Sequence, residues 1–572
     1  MKKNLLTVFF AIFALYAYSA SNFGKDYFAI GEYAKAKEYF ESTLATSAAE
    51  SNYYLGEIAF AEGKPDVALT YYEKGLNADP AYVFNKIGKA KVMLKSKPAD
   101  AELIFASVLK KLKKDPQVNV LIARAYFDNG LKVQAATKLV AARKVAKKSA
   151  SLYILEGDIL LSESKLNEAL GVFEQATYFE PNNFEAIVKV SRNYIKTKQQ
   201  SSVGLAIEKL TPLLTIYPDY TIVNRELGIA YNTVGKYKLA IESFVKYYGE
   251  GQCDFGDITY LASAYYFTDQ FEKSKILLDQ GLAKDSNNFV FNRFKMYNAA
   301  KLKDVQNGMA IASKFFSLKD EFIDKDYSTY AQILVDAGNF EESLKAFDKV
   351  IGLNPNKPDT YKDLASLYSK MNESLKSAQS YEKFIVLKDS LGQDVEGSDY
   401  YLMGREWYKI GQTTFKKDTT PQGRLLAKEY LVKADTAFGV VCILNLESYL
   451  GYLWRGHANA AMEPDTIVGL ARPHYDKALA MMLKRIEGGQ PLATYRKDIL
   501  NIHQYEAVFA YQRQDKQNAL LYSNKMLELD PANATAKSII EFFNPTPQVN
   551  ASGATKATAK PTAPKTAVDA KK

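Results

Sequence analysis

Cysteine, tryptophan and histidine are nearly absent from this 572-residue chain, with two, two and three residues respectively. Cys253 and Cys442 stand 189 residues apart, which excludes a disulfide framework and leaves both to be read as unpaired thiols. His457, His474 and His503 include no pair with the close helical spacing that zinc sites use, so no metal centre is expected. There is no phosphate-cradling glycine loop, no nucleophile elbow ordered with His and Asp, and no Cys-x-x-Cys. No catalytic residue, cofactor or enzymatic activity is therefore expected. Strand-like alternation is missing as well, which argues against a sheet and for an all-α chain.

Long apolar runs are also lacking, with one exception. Leu5 to Tyr16 follows Lys2 and Lys3 and is short for a membrane span. It reads as a signal peptide over residues 1–19, cleaved after Ser19, where Ala17 and Ser19 supply the small residues a signal peptidase recognises. The alternative is an uncleaved anchor in the inner membrane, facing the periplasm. No cysteine follows the run, so a lipoprotein anchor is excluded there. The expectation is an exported protein, most simply periplasmic, and not integral to the membrane after cleavage.

What the chain does have is a repeat. Ala68, Ala101, Ala135, Ala169, Ala240, Ser274 and Ser343 recur with a period close to 34, two periods being skipped on the way. Four residues after each comes a large apolar one: Tyr72, Phe105, Leu139, Phe173, Phe244, Leu278 and Phe347. A small residue lets two helices approach, and the bulky one a turn later fills the space beside that contact. A unit of this length cannot bury its own apolar face and must stack on its neighbours.

The clearest unit carries Leu227-Gly228-x-x-Tyr231, Gly235, Tyr237 and Ala240-x-x-x-Phe244, and a second carries Leu55-Gly56, Gly63, Ala68, Tyr72 and Gly75 before Asp79-Pro80. This resembles the tetratricopeptide repeat, although Asn224 stands where the family pattern opens on tryptophan. The resemblance implies an α-solenoid, a right-handed superhelix of helix-turn-helix units. We expect ten or eleven units over 20–390 and further units with inserted loops over 391–543. A Pro-, Ala-, Thr- and Lys-rich tail at 544–572 is too poor in large apolar residues to fold. Loops are expected at Thr413–Gln422 and Glu463–Gly469. The repeat markers fade between Asn287 and Lys325, where the stack should open first.

The net charge of +9 is unevenly placed. Lys86 to Lys148 holds sixteen basic residues against four acidic ones. Two matched clusters carry much of it: Lys110, Lys111, Lys113 and Lys114, then Arg143, Lys144, Lys147 and Lys148. Each falls at the end of a second helix, one repeat apart, so stacking should align them as a ridge. The helix dipole favours one or two cations per C-terminus, not four. An anionic envelope polymer, a lipid headgroup or an acidic protein would suit such a ridge; nucleic acid would not, since an exported protein seldom meets it.

Members of the resembled family bind extended segments on a concave face lined by first helices. Carried over by position, that face would include Tyr53, Glu57, Phe60, Lys89, Arg124, Phe127, Arg225, Asn232 and Tyr266. The set mixes aromatics, ions and amides, which suits capture of a peptide backbone with a few apolar anchors. The chain lacks the repeated carboxylate clamp of chaperone-tail binders. The implied role is a non-enzymatic scaffold for other envelope proteins or peptide segments.

Overall fold

The computed structural model of the chain describes residues 23–218, 220–318 and 321–545. The expected signal peptide, and the expected tail from residue 546 onward, lie outside the described residues. Among the described residues there is no strand, and helices alternate with short turns throughout. The fold is an all-α solenoid of helix hairpins, divided into two compact units, Met1–Leu302 and Lys303–Lys572. That division falls inside the Asn287–Lys325 stretch where the sequence markers fade.

The first unit consists of eight hairpins between Phe23 and Lys284, followed by the helix Phe289–Lys301. The second opens with the helix Val305–Ser317 and continues through five hairpins to Leu529 and a last helix, Ala534–Phe543. The periodic small residues are the points of closest helix approach. Ala68, Ala101, Ala135, Ala169, Ala240, Ser274 and Ser343 are all fully buried, and so are Tyr72, Phe173, Phe244 and Leu278 beside them. In several hairpins the bulky ring of the second helix lies against a glycine of a first helix, as Tyr72, Phe173, Phe244, Phe438 and Tyr475 do. A Cβ on Gly56 would sit 2.5 Å from the Tyr72 ring, and one on Gly88, in the next repeat, 2.3 Å from the same ring. Tyr72 is thus clamped between two repeats.

Serine replaces alanine in this pattern at no loss of hydrogen bonding. Ser274 donates to the Ala262 carbonyl at 2.8 Å, Ser343 to Ala331 at 2.9 Å, and Ser377 to Ala365 at 2.7 Å. Each buried hydroxyl thereby finds an acceptor on the first helix of its own hairpin. The skipped periods are filled by Val203, fully buried, and by Gly308, whose Cβ would meet Ile333 at 3.3 Å. The turn inside most hairpins uses one left-handed residue. Gly63, Gly130, Gly235 and Gly338 supply it with φ between +74° and +76°; elsewhere Ser164, Asp269 or Asn372 accepts the same conformation.

One expected loop is absent. Thr413–Gln422 is largely helical, because the first helix of that hairpin runs from Gly397 to Lys417 and the second from Pro421 to Leu444. The hairpin lengthens at its closed end. Gly411 lies where a Cβ would meet Leu431 at 2.7 Å, so it marks close packing of two continuing helices and not the end of one. Thr420 caps the second helix by accepting from the Gly423 amide at 3.1 Å. The second helix therefore begins at Pro421. By contrast, Glu463–Gly469 is a loop as expected, folded around one carboxylate: Glu463 accepts from the amides of Val468 and Leu470, both at 3.0 Å, and from the Tyr505 hydroxyl at 2.7 Å.

Candidate functional site

The first helices of the first unit are tied to one another by ion pairs spaced at the repeat length. Glu57 pairs with Lys91 at 2.8 Å, and Lys91 with Asp128 at 2.6 Å. Arg124 reaches Asp158 at 2.9 Å, which Lys189 meets at 2.7 Å. Arg192 reaches Glu226 at 2.7 Å, and Arg225 grips Asp257 with two bonds of 2.6 and 2.9 Å. Every link in this ladder joins one hairpin to the next. Burial alone would lower the Lys91 ammonium, but Glu57 and Asp128 outweigh it and hold the group above its ordinary value. Burial likewise opposes ionisation of Asp158, yet Arg124 and Lys189 hold it below the usual carboxylate range.

The ladder does not stand open. The first hairpin, Phe23–Ala29 with Tyr33–Ser42, packs on its neighbour and also reaches residues far along the chain. The Tyr220 hydroxyl donates to Asp26 at 2.5 Å, and Arg192 donates to the Ile30 carbonyl at 2.6 Å. Lys35 donates to the Tyr247 hydroxyl at 2.9 Å and lies over that ring. Phe23 stacks on Tyr220 with ring centres 4.3 Å apart. The first hairpin therefore clasps the sixth and seventh, and the first-helix faces between them enclose a cavity of about 1030 Å³.

Four of the nine concave positions inferred from sequence line this cavity: Tyr53, Glu57, Phe60 and Arg124. Glu57 and Arg124 are engaged in the ladder, and Phe60 packs under the Lys91 ammonium, 4.5 Å from its ring centre. Tyr53 is 4 % exposed, among Tyr54, Tyr72, Tyr82 and Phe84. The other five lie elsewhere. Lys89 pairs with Glu73 at 3.0 Å, and Phe127 packs against the apolar core on both sides. Arg225 is held by Asp257. Asn232 donates to the Tyr260 carbonyl at 2.7 Å, joining two repeats, and Tyr266 is buried among Phe271, Phe294 and Tyr297. Sequence reading missed Lys91, Asp128 and Lys189, although an opposite charge one repeat away was the available signal. It also missed Phe28, Tyr33 and Gln117, which line the cavity. Tyr33, Tyr54 and Gln117 have side-chain polar atoms without a hydrogen-bond partner among the described residues.

The two basic clusters sit where the sequence placed them. Lys110 and Lys111 close the helix Pro98–Leu112, and Arg143 closes Lys132–Arg143, with the remaining lysines just beyond. Lys110, Lys111, Lys113, Lys114, Lys144, Lys147 and Lys148 are exposed and form no ion pair among the described residues. Arg143 differs: it pairs with Glu156 and lies over the Tyr153 ring.

In the second unit the histidines serve packing. His457 contacts the Tyr475 hydroxyl through Nδ1 at 2.8 Å, and burial pushes it down to about 4; burial does the same to His503. Among the described residues no cluster of His, Cys, Asp and Glu has the makings of a metal site, and both cysteines are free. No described helix is long and apolar enough to cross a membrane.

Comparison with known proteins bears on the fold. Residues 22–83 and 327–357 match the family profile of the tetratricopeptide repeat, and residues 87–226 match that of the ChAPs, described as Chs5p-Arf1p-binding proteins. The chain is 24% identical over 275 residues to the TPR repeat-containing protein YpiA of Bacillus subtilis, the match covering 46% of this chain and 60% of that protein. Among solved structures it is similar to the C-terminal part of a TPR repeat-containing protein from Cytophaga hutchinsonii, with 22% identity, a TM-score of 0.40, and 49% and 99% of the two chains covered. It is also similar to yeast Tom70, with 14% identity, a TM-score of 0.31, and 90% and 99% covered.

Proposed function

We propose that this chain, a tetratricopeptide-repeat protein, is a non-enzymatic scaffold of the cell envelope that captures a partner segment in the groove of its first unit. Repeat proteins of this family generally act by binding other proteins. One observation carries the choice of site. In the 1030 Å³ cavity the charged groups largely neutralise one another, which leaves aromatic faces and neutral polar groups such as Tyr33, Tyr54 and Gln117 to meet a ligand. Such a lining suits an extended peptide backbone with apolar side chains and not a highly charged polymer. Export to the periplasm, with residues 1–19 removed, belongs to the same proposal and rests on the charged and apolar segments at Lys2–Tyr16.

Gln117 is exposed at the cavity and has no partner among the described residues, so Gln117→Arg adds bulk and charge at little cost to the fold. Capture of a defined envelope protein, identified by cross-linking to the wild-type chain, should fall at least tenfold in this variant. Unchanged capture would remove the groove from the proposal.

A second reading is favoured by the seven unpaired lysines between Lys110 and Lys148: a ridge for an anionic envelope polymer, lipid or acidic protein. Lys110, Lys113, Lys144 and Lys147 are the residues to reverse, since Arg143 is already engaged by Glu156. Under this reading the reversal, and not Gln117→Arg, abolishes binding, and affinity drops steeply between low and moderate salt.

A further inference from the structure

Most first helices of the first unit are deeply set. Ala48–Ala61 and Phe184–Lys196 bury eight residues each, and Pro116–Asp128 buries six. The helix Phe23–Ala29 buries only Gly24. Gly24 packs on Tyr39 and Phe40 and Lys25 pairs with Glu50, within its own and the next hairpin. Toward the distant residues it is held by a pattern, in which Phe23 and Tyr27, one turn apart, both stack on Tyr220, while Asp26 between them accepts the Tyr220 hydroxyl. The notch that receives them is built elsewhere in the chain. Phe184 meets Tyr220 and Tyr217 edge-on at 4.8 and 5.8 Å, over a floor of Val188, Ile222, Val223 and Leu227. Arg192 completes the notch by binding the carbonyl at the end of the helix.

A notch with an aromatic wall, a phenolic donor and a guanidinium at its far end is specific in chemistry, yet its occupant is short and mostly only partly buried. Gly31 follows the helix at φ +86°, with nothing within 4 Å of a notional Cβ, so the turn that leads out of the helix is unobstructed. If the helix left, the Tyr220 ring and its apolar floor would meet water, and another segment of the same pattern would cover them equally well.

We propose that the Phe184–Tyr217–Tyr220 notch is a docking site for a short helix on a partner protein that carries two aromatic residues one turn apart with an acid between them, and that the helix Phe23–Ala29 occupies the notch until such a segment displaces it. This rests on the reading of the chain as a protein-interaction scaffold. It assigns the partner's chemistry from the chain's own occupant, and it makes entry to the groove and docking at the notch competing uses of one clasp.

The test uses the full chain and a fluorescent peptide of residues 23–33. Phe23→Ala with Tyr27→Ala should empty the notch in cis, and the peptide should then bind at least tenfold more tightly than it binds the wild-type chain. Adding Tyr220→Phe, which removes the donor to Asp26, should weaken that binding several-fold, as should Asp26→Lys in the peptide. Absence of peptide binding to an emptied chain whose helix content and melting are unchanged would overturn the proposal, and so would equal binding to both chains. Should the emptied chain fail to fold, amide exchange on the wild type decides: Phe23–Ile30 should exchange at least tenfold faster than Ile222–Leu227, and equal protection would sink the idea. Loss of the notch on these grounds leaves the groove proposal standing, because the Gln117 variant is scored on capture of a separate partner.

Discussion

The two units obey one packing rule and differ in what is added to the ion pairs that join successive hairpins. In the first, charged side chains on successive first helices pair across the repeat, from Glu57 and Lys91 to Arg225 and Asp257. In the second, pairs between hairpins recur, as Asp324 with Lys357, Lys362 with Asp399 and Arg472 with Glu506, and helix length is added to them. The hairpin Gly397–Leu444 has helices of 21 and 24 residues, against 14 in Ala48–Ala61 or Pro65–Ala78. Its centre is aromatic: Trp407 stacks on Tyr430, Lys433 lies 4.2 Å from the Trp407 ring centre, and Trp454 meets Tyr401 and Tyr408 edge-on. Arg455 adds a pair of another kind, reaching back to Asp435 on the adjacent helix of the preceding hairpin. A ladder of ions fixes spacing while leaving a polar, solvent-reachable face, whereas interlocked aromatic rings fill the space themselves. The candidate binding groove lies against the ladder of the first unit.

The comparison is broken most directly at Lys91. Its ammonium is buried between Glu57 and Asp128, so Lys91→Met leaves two carboxylates uncompensated. Breaking a buried pair from one side costs about 3–5 kcal/mol. Denaturant unfolding, read through probes in the first unit, should show a loss of that size, while the second unit's transition stays in place. A loss under about 1 kcal/mol would mean that the ladder is ornamental to stability, at the level of a surface pair. A smaller effect is expected where the units are alike. Gly88→Ala drives a methyl to 2.3 Å from the Tyr72 ring, and Gly456→Ala does the same to Tyr475 at 2.3 Å. Overpacking of this kind costs about 1–3 kcal/mol. Equal penalties in the two units, measured by the same unfolding curves, would confirm a shared rule of helix approach; a penalty confined to one would refute it.

The shared rule is the part that the sequence made legible, because it is local. Ala68 and Tyr72, or Ala240 and Phe244, sit one turn apart on one helix, and a fixed spacing exposes them. The reading failed at Thr413–Gln422, expected as a loop, where Gly411 admits Leu431 and the two helices continue. The ladder was half legible. Glu57 and Arg124 were picked as groove residues from their position within a unit, but their partners Lys91 and Asp158 lie one repeat on, and only a search for opposite charges at that distance would have paired them. The clasp was not legible at all. Tyr220 meets Asp26 across 194 residues. That separation is fixed by the accumulated rotation of successive hairpins, which no short pattern encodes.

The smallest effect concerns that clasp, and it sets the two uses of charge against each other. Burial pushes the Asp26 carboxyl up to about 6; the Tyr220 hydroxyl pulls it back, Glu185 pushes it further and Lys25 lowers it. Asp158, deeper in the ladder, moves the other way because two cations face it. A carboxyl raised in the closed state binds its proton more tightly there than when the helix is released. Closure therefore gains as pH falls through about 6 and is fully favoured below about 4, where the released carboxyl is protonated too. Between pH 7 and pH 5 the closing equilibrium should shift by up to about tenfold, or about 1.4 kcal/mol. Amide protection factors over Phe23–Ile30, corrected for intrinsic exchange, should rise by that factor at the lower pH in the wild type and stay level in Asp26→Asn. The ladder residues around Asp158 should show no such rise, since their carboxylate is stabilised by charge and gains nothing from a proton. Protection at Phe23–Ile30 that falls with pH would place Asp26 among the ionised, charge-compensated members of the ladder and erase the distinction between the clasp and the rungs it closes upon.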